Sequence, residues 1–200
     1  MALPDIYEGS RRLDLFLSKQ RCKIANRQIK SVPEKSRILD IGCGRYPLFL
    51  TTVDFSERYG LDRDFGDGEN VKRDGITLVN HNIEEQSKMP FEDNYFDAVS
   101  MLAVFEHIEP NCLVDIHQDI YRILKPGGVY IMTTPAFWTD GLLRFLVKLH
   151  LLSDVSIEDH KDSYKYSDVF SILQQAHFEK EKLHFGYFEL YMNLWVTATK

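Results

Sequence analysis

Two short stretches carry residue types with chemical use. In Ile38-Leu39-Asp40-Ile41-Gly42-Cys43-Gly44 an apolar run ends in a glycine-rich turn, with an acidic residue two places before the first glycine. About twenty residues later, Tyr59-Gly60-Leu61-Asp62 ends a second apolar run in a carboxylate. Gly42 and Gly44 have no side chains, so the backbone there lets a ligand approach closely. A carboxylate at Asp62, at the end of the next strand, accepts hydrogen bonds from ribose hydroxyls. The pair describes a site for a nucleoside.

The elements that must hold these residues alternate in type. Residues 5–30 read as one or two helices, with apolar marks at Leu13, Phe16, Leu17, Ile24 and Ile29. Val32–Ser36 connects them to a first strand, Arg37–Ile41. Pro47–Val53 has room for only a short helix before the second strand, Ser56–Leu61. Asp64–Asn70 is polar and glycine-containing and reads as a loop. Ile76–Val79 and Tyr95–Met101 are the third and fourth strands, the latter with the apolar run of a buried parallel strand. Leu113, Ile116, Ile120, Ile123 and Leu124 recur at helical spacing, which predicts a helix over Asn111–Leu124 with Asn111 as its cap. Lys125-Pro126-Gly127-Gly128 then turns into a fifth strand, Val129–Thr133. Ser167 caps a further helix, and Phe178–Thr199 reads as two strands joined near Gly186–Leu190.

This order predicts an α/β fold: a doubly wound, mostly parallel, seven-stranded sheet with an antiparallel C-terminal strand. Ligands of such sheets bind beyond the carboxyl ends of the strands. Gly42, Asp62, Asn82 and Leu102 all fall at or just past those ends, so four placements agree.

Length and composition bound the answer further. Two hundred residues, 44% hydrophobic and 27% charged, suit one globular domain over 1–200 with a core of its own. Within it, 1–36 is an N-terminal helical segment and 136–165 an insertion on the substrate side. Cys22, Cys43 and Cys112 show no CxxC pairing and no zinc-like spacing, which fits a reduced, cytoplasmic setting. Met1–Asp5 lacks the basic flank and apolar run of a signal peptide, and no stretch reaches the length of a membrane span. Residues 1–36 hold eight Lys/Arg and four Asp/Glu, which leaves −10 for the rest of a chain whose total is −6. The basic segment reads as a solvated helix face, and nucleic acid is disfavoured as a partner. Ala136–Leu152 is rich in large apolar residues but interrupted by Arg144, Lys148 and His150. It reads as a core helix, a lid over an apolar substrate or an interfacial helix, so membrane contact is peripheral at most.

The ordered series of motifs resembles the class I S-adenosylmethionine (SAM) methyltransferases, in particular the small type that includes the ubiquinone-biosynthesis O-methyltransferases. It runs over residues 37–134: Leu39–Gly44, Gly60-Leu61-Asp62, Asn82-Ile83-Glu84, Met89–Val99, Glu106-His107-Ile108 and Leu124–Gly128. The resemblance implies SAM as cofactor, with S-adenosylhomocysteine as product. It implies that Gly42–Gly44 wraps the methionine half and that Asp40 supports the turn. Asp62 would take the ribose hydroxyls, Asn82 and the Ile83 backbone the adenine edge, and Leu102 the region of the sulfur. Two positions depart from the family pattern. Tyr46 stands where a third glycine is expected, so the turn must be built differently. Ala103 replaces the first Glu of a Glu-x-x-Glu-His metal element, which argues against a metal.

A sulfonium methyl is already activated, so the protein has to align a nucleophile and exclude water. Tyr46, Phe49 and Phe105 are the aromatic candidates for facing the cation, each weighed against plain packing. A hydroxyl acceptor needs a base, and His107 and His160 are the candidates, each weighed against a structural role. Ser100-Met101-Leu102-Ala103 stands where base-modifying amino-methyltransferases often carry Pro-Pro-aromatic, and no Pro-Cys pair is present. The expected acceptor is therefore a small molecule, a metabolite, sugar or lipid intermediate, with oxygen as the receiving atom. Two alternatives stand beside it. A nicotinamide oxidoreductase would need the third glycine that is missing. A non-catalytic binding or regulatory subunit on the same fold would explain Tyr46.

Overall fold

In the computed structural model, residues 12–65, 71–139 and 164–200 are described. Eight strands form one sheet: β1 (Arg37–Ile41), β2 (Glu57–Asp62), β3 (Val71–Arg73), β4 (Ile76–Asn80), β5 (Phe96–Leu102), β6 (Leu124–Pro135), β7 (Leu183–Phe188) and β8 (Asn193–Thr199). Their spatial order is β3-β4-β2-β1-β5-β6-β8-β7. The five strands from β4 to β6 run parallel, β8 lies antiparallel between β6 and β7, and β3 pairs antiparallel with β4. This is the doubly wound α/β sheet expected from the sequence, with one more strand. All three residues of β3 are exposed, so burial writes no alternation into its sequence. Its signal is Asp74-Gly75, a two-residue hairpin turn with both residues at positive φ (51° and 76°).

Alternation along the central strands divides the core in two. Leu39 and Ile41 of β1, Val99 and Met101 of β5, and Tyr130 and Met132 of β6 face one side. There they meet α2 (Leu113–Ile123) and α3 (Tyr166–Gln175). Ile38, Ala98, Val129 and Ile131 face the other side, with α1 (Arg12–Gln28) and a short 3-10 turn at Phe49–Thr51. That single turn is all that crosses from β1 to β2, as the short Pro47–Val53 segment implies. On the α2 side, His117 is buried, with Nδ1 2.7 Å from the Leu113 carbonyl and Nε2 3.0 Å from the Tyr130 hydroxyl. Burial pushes its imidazole down to about 4, so it is a neutral core group.

Several local expectations need correction. Phe16 is 52% exposed; α1 buries Cys22 and Ala25 instead, while Ile29, in the 3-10 turn that follows it, is buried as expected. Asn111 does not cap α2, which starts at Leu113 after Cys112, because the first helical hydrogen bond runs from Ile116 N–H to the Cys112 carbonyl. In α3 the cap falls at Lys165, whose N–H donates to Asp168 Oδ2 at 3.0 Å, so Ser167 is already helical. Lys125–Gly128 is a bulge inside β6, where the register against β5 shifts between Phe96 and Ala98. Asp97 serves this frame: it accepts from Lys125 Nζ at 2.6 Å and from the Arg37 N–H at 2.8 Å. Of the insertion at 136–165, residues 140–163 lie outside the described residues, and His160 with them. Among the described residues no helix is long and apolar enough to cross a membrane.

Candidate functional site

β1 and β2 are parallel neighbours in register Asp40↔Gly60 and Ile41↔Leu61, so the turn after β1 and the end of β2 meet. The Gly42 N–H donates to the Leu61 carbonyl at 2.7 Å, and the Gly44 N–H donates to Asp62 Oδ2 at 2.7 Å. Asp62 Oδ1 accepts from the Asp64 N–H at 3.1 Å. One carboxylate thus fixes both loops, and each of its oxygens keeps a lone pair for a ligand hydroxyl. Gly42 and Gly44 both sit at positive φ, 68° and 67°. A Cβ on Gly42 would lie 2.3 Å from Val104 Cγ2, whereas a Cβ on Gly44 would meet nothing within 4 Å. Gly42 is therefore closed against the protein, and Gly44 opens onto the space a ligand would use. Tyr46 does not take positive φ. The chain instead tightens through Leu48 N–H to the Tyr46 carbonyl at 2.7 Å and enters the 3-10 turn.

Asp40 lies under this turn, 4% exposed, and accepts a 2.7 Å hydrogen bond from the Ser100 hydroxyl of β5. Burial pushes its carboxyl up to about 7; the Ser100 bond opposes the shift and the charge of Asp62 adds to it. The folded protein therefore holds a proton there that the unfolded chain releases near pH 4, and stability falls as pH rises from about 4 to about 7. Asp40→Asn removes that cost, which is on the order of 4 kcal/mol at pH 8. Urea denaturation at pH 4 and pH 8 checks this: the variant's stability should be the flatter of the two against pH, and a parallel dependence would refute the assignment.

A cavity of about 120 Å³ opens between the glycine turn and α1, lined by Ser18, Arg21, Asp40, Gly42, Tyr46 and Leu102 among others. It is smaller than the roughly 300–1,000 Å³ of sites that enclose whole ligands. Arg21 supplies the positive charge in its lining. The thiols of Cys22 and Cys43 also line it. Burial pushes Cys22 up to about 12 and Cys43 higher still, helped in both by Asp40, so neither is a nucleophile at neutral pH. Tyr46 and Phe49 reach this cavity, whereas Phe105 is wholly buried against His117 and Tyr164 and is a packing residue.

The remaining predicted residues fall along the same edge. After β4, Asn82 Oδ1 accepts from the Glu84 N–H at 3.1 Å, and its Nδ2 donates to Glu85 Oε1 at 2.9 Å. Its amide is thus used in its own turn, and the neighbouring Ile83 side chain is buried in the core. Leu102, half-buried, ends β5 beside Thr133 of β6. Ala103 then takes φ 57° while its N–H donates to the Thr133 carbonyl at 3.0 Å, which turns the chain into a 3-10 turn at Phe105–His107.

This turn separates two neighbours that the sequence does not. His107 is half-buried, whereas Glu106 is 3% exposed. Among the described residues Glu106 Oε2 has no hydrogen-bond partner. Burial pushes the Glu106 carboxyl up, opposed by His107, Arg21 and a hydrogen bond to Thr134. On the β7–β8 tip, half-buried Glu189 accepts from Asn193 Nδ2 at 2.5 Å and is likewise pushed up by burial and held down by Arg21. Glu106 and Arg21 are the residues that sequence reasoning missed. A carboxylate next to a histidine at a strand end was visible, but its depth was not, and Arg21 is brought in only by the docking of α1.

Comparison with known proteins places this edge in context. Residues 39–132 match the model of a methyltransferase domain family. The chain is 31% identical over 150 residues to the sterol 4-C-methyltransferase strm-1 of Caenorhabditis elegans, covering 65% of this chain and 39% of that protein. It is 30% identical over 105 residues to the sterol 24-C-methyltransferase erg6 of Schizosaccharomyces pombe, covering 48% of this chain and 26% of that one. It thus spans two fifths or less of the length of these two relatives. In fold it is similar to a SAM-dependent methyltransferase of Mesorhizobium loti: TM-score 0.64, 18% identity, 90% of this chain and 98% of that one.

Proposed function

We propose, from the premise that this chain belongs to the class I SAM-dependent methyltransferases, that it moves the methyl group of SAM to a lipid-like small-molecule acceptor. The observation that carries this reading is the joint formed by Asp62 and the Gly44 N–H at 2.7 Å, with open space above Gly44. SAM supplies a methyl on a sulfonium, and S-adenosylhomocysteine leaves. Asp62 holds the ribose hydroxyls, the backbone at Ile83 faces the adenine, and Arg21 meets the carboxylate in the cavity over Gly42. Leu102 excludes water from the side where the methyl is transferred.

The acceptor reading draws support from the two sterol methyltransferases that the chain is similar to. Oxygen is the receiving atom expected from the sequence; the relatives named for C-methylation make carbon the competing one. Either route releases a proton. Glu106, whose Oε2 has no hydrogen-bond partner among the described residues and whose carboxyl burial pushes up, is our candidate to take it, beside His107. His160 remains a candidate on sequence grounds alone.

Calorimetric titration with SAM, S-adenosylhomocysteine and NAD is the first test. Binding of both sulfur nucleosides and not of NAD is expected. A lipid extract incubated with methyl-labelled SAM should then yield a labelled product, whose mass spectrum separates an ether or ester methyl from a carbon-bound one. Tight SAM binding with no labelled product from any extract would favour the non-catalytic subunit, whose sequence mark is Tyr46.

A further inference from the structure

We infer that the β7–β8 tip and the turn after β6 form a docking surface for a lipid bilayer, placed so that an acceptor enters the site from the membrane. The inference rests on the lipid-like acceptor proposed above. Leu190 is 87% and Tyr191 70% exposed, and Phe137 and Trp138 are each about half exposed. These residues form one patch. The Ala136 N–H donates to the Met192 carbonyl at 2.9 Å, which places Phe137 and Trp138 directly beside the tip, and the Tyr187 and Tyr191 rings lie 5.8 Å apart.

The tip is held outward against a local cost. Glu189, Leu190 and Tyr191 are three successive non-glycine residues at positive φ, 50°, 55° and 68°. The Met192 N–H bond to the Glu189 carbonyl and the Glu189–Asn193 side-chain bond clamp its base. Between Glu189 and Asn193 the tip carries Leu190, Tyr191 and Met192 and no charge. Glu189 is turned inward to Asn193, and a cation, Lys165 Nζ, sits 5.9 Å over the Phe137 ring. Aliphatic, Trp and Tyr side chains with an adjacent lysine suit the boundary between lipid headgroups and chains.

Size and chemistry favour lipid over protein as the occupant. The patch offers a handful of exposed large side chains, Leu190, Tyr191, Phe137 and Trp138 foremost, against the roughly 20–30 residues a side of a stable protein interface. Inserted side chains need only lipid around them. The position also serves the site. Thr133 of β6 is in register with Leu102, and Ala136, just past the end of that strand, lies three residues further on, about 10 Å away. A lipid held at this surface is therefore within reach of the methyl-transfer position.

The test uses the full chain with phosphatidylcholine vesicles and with vesicles that also contain phosphatidylserine. The protein is expected to cosediment with both. Leu190→Asp combined with Tyr191→Asp should lower the bound fraction at least about tenfold. Val71→Asp, on the opposite edge of the sheet, should leave it unchanged. SAM titration of the double variant should match the unaltered chain, which shows a folded cofactor site and keeps this test apart from that of the function. Vesicle binding without lipid methylation would overturn the acceptor reading and keep the docking surface. Absence of sedimentation with either vesicle, or equal sedimentation of the double variant, overturns the inference. So does a dimer, seen by light scattering, that the double variant splits.

Discussion

Asp62→Ala is expected to weaken SAM and S-adenosylhomocysteine binding at least about a hundredfold in calorimetric titration, the largest single loss in the protein. The substitution removes the acceptors for the ribose hydroxyls and, at the same stroke, the partner of the Gly44 N–H at 2.7 Å and of the Asp64 N–H at 3.1 Å. Hydrogen bonds to a charged group contribute roughly 1.5–3 kcal/mol each, so two of them account for a hundredfold or more. Asp62→Asn keeps an oxygen for the Gly44 N–H but gives up the charge, and its loss should be intermediate, about tenfold. A loss under threefold in the alanine variant would remove Asp62 from the cofactor site.

The two glycines of the turn should respond unequally. Gly42→Ala places a methyl 2.3 Å from Val104 Cγ2 on a backbone at φ 68°. The left-handed conformation costs about 1–2 kcal/mol and the overlap a further 1–3 kcal/mol, since Val104 is packed against the core. Gly44→Ala suffers only the first of these, because nothing lies within 4 Å of the added carbon. Urea denaturation should rank Gly42→Ala below Gly44→Ala by at least about 1 kcal/mol. Adding Val104→Ala should restore part of the Gly42 loss and none of the Gly44 loss. Gly44→Ala should nevertheless impair SAM binding, because its methyl occupies ligand space. Equal destabilisation at both positions would show that the close approach of Val104 does not limit the turn.

The sequence alone determined where the candidate site lies. A parallel strand buried on both faces reads as an apolar run, as in β5; β1, β2 and β4 carry shorter apolar stretches that still placed them, and the carboxyl ends of these strands fixed the edge that holds Gly42, Asp62 and Leu102. The short crossover after β1 was legible for the same reason, since Pro47–Val53 cannot hold a longer helix. Edges and caps were not. β3 is exposed on every residue and so leaves no alternation. The starts of α2 and α3 depend on which N–H finds a partner first, as Cys112 and Asp168 show.

Only the tertiary structure decided the chemistry within that edge. It spent the amide of Asn82 on its own turn, buried Glu106 while leaving His107 half-exposed, and raised the proton affinity of Asp40. It also brought Arg21 across from α1 to a cavity formed by residues about twenty and eighty positions away. Burial, desolvation and long-range charge are properties of the packed whole, and a local pattern of residues does not contain them. Polarity patterns position the strands; which side chain loses its water is settled by what the other elements place over it.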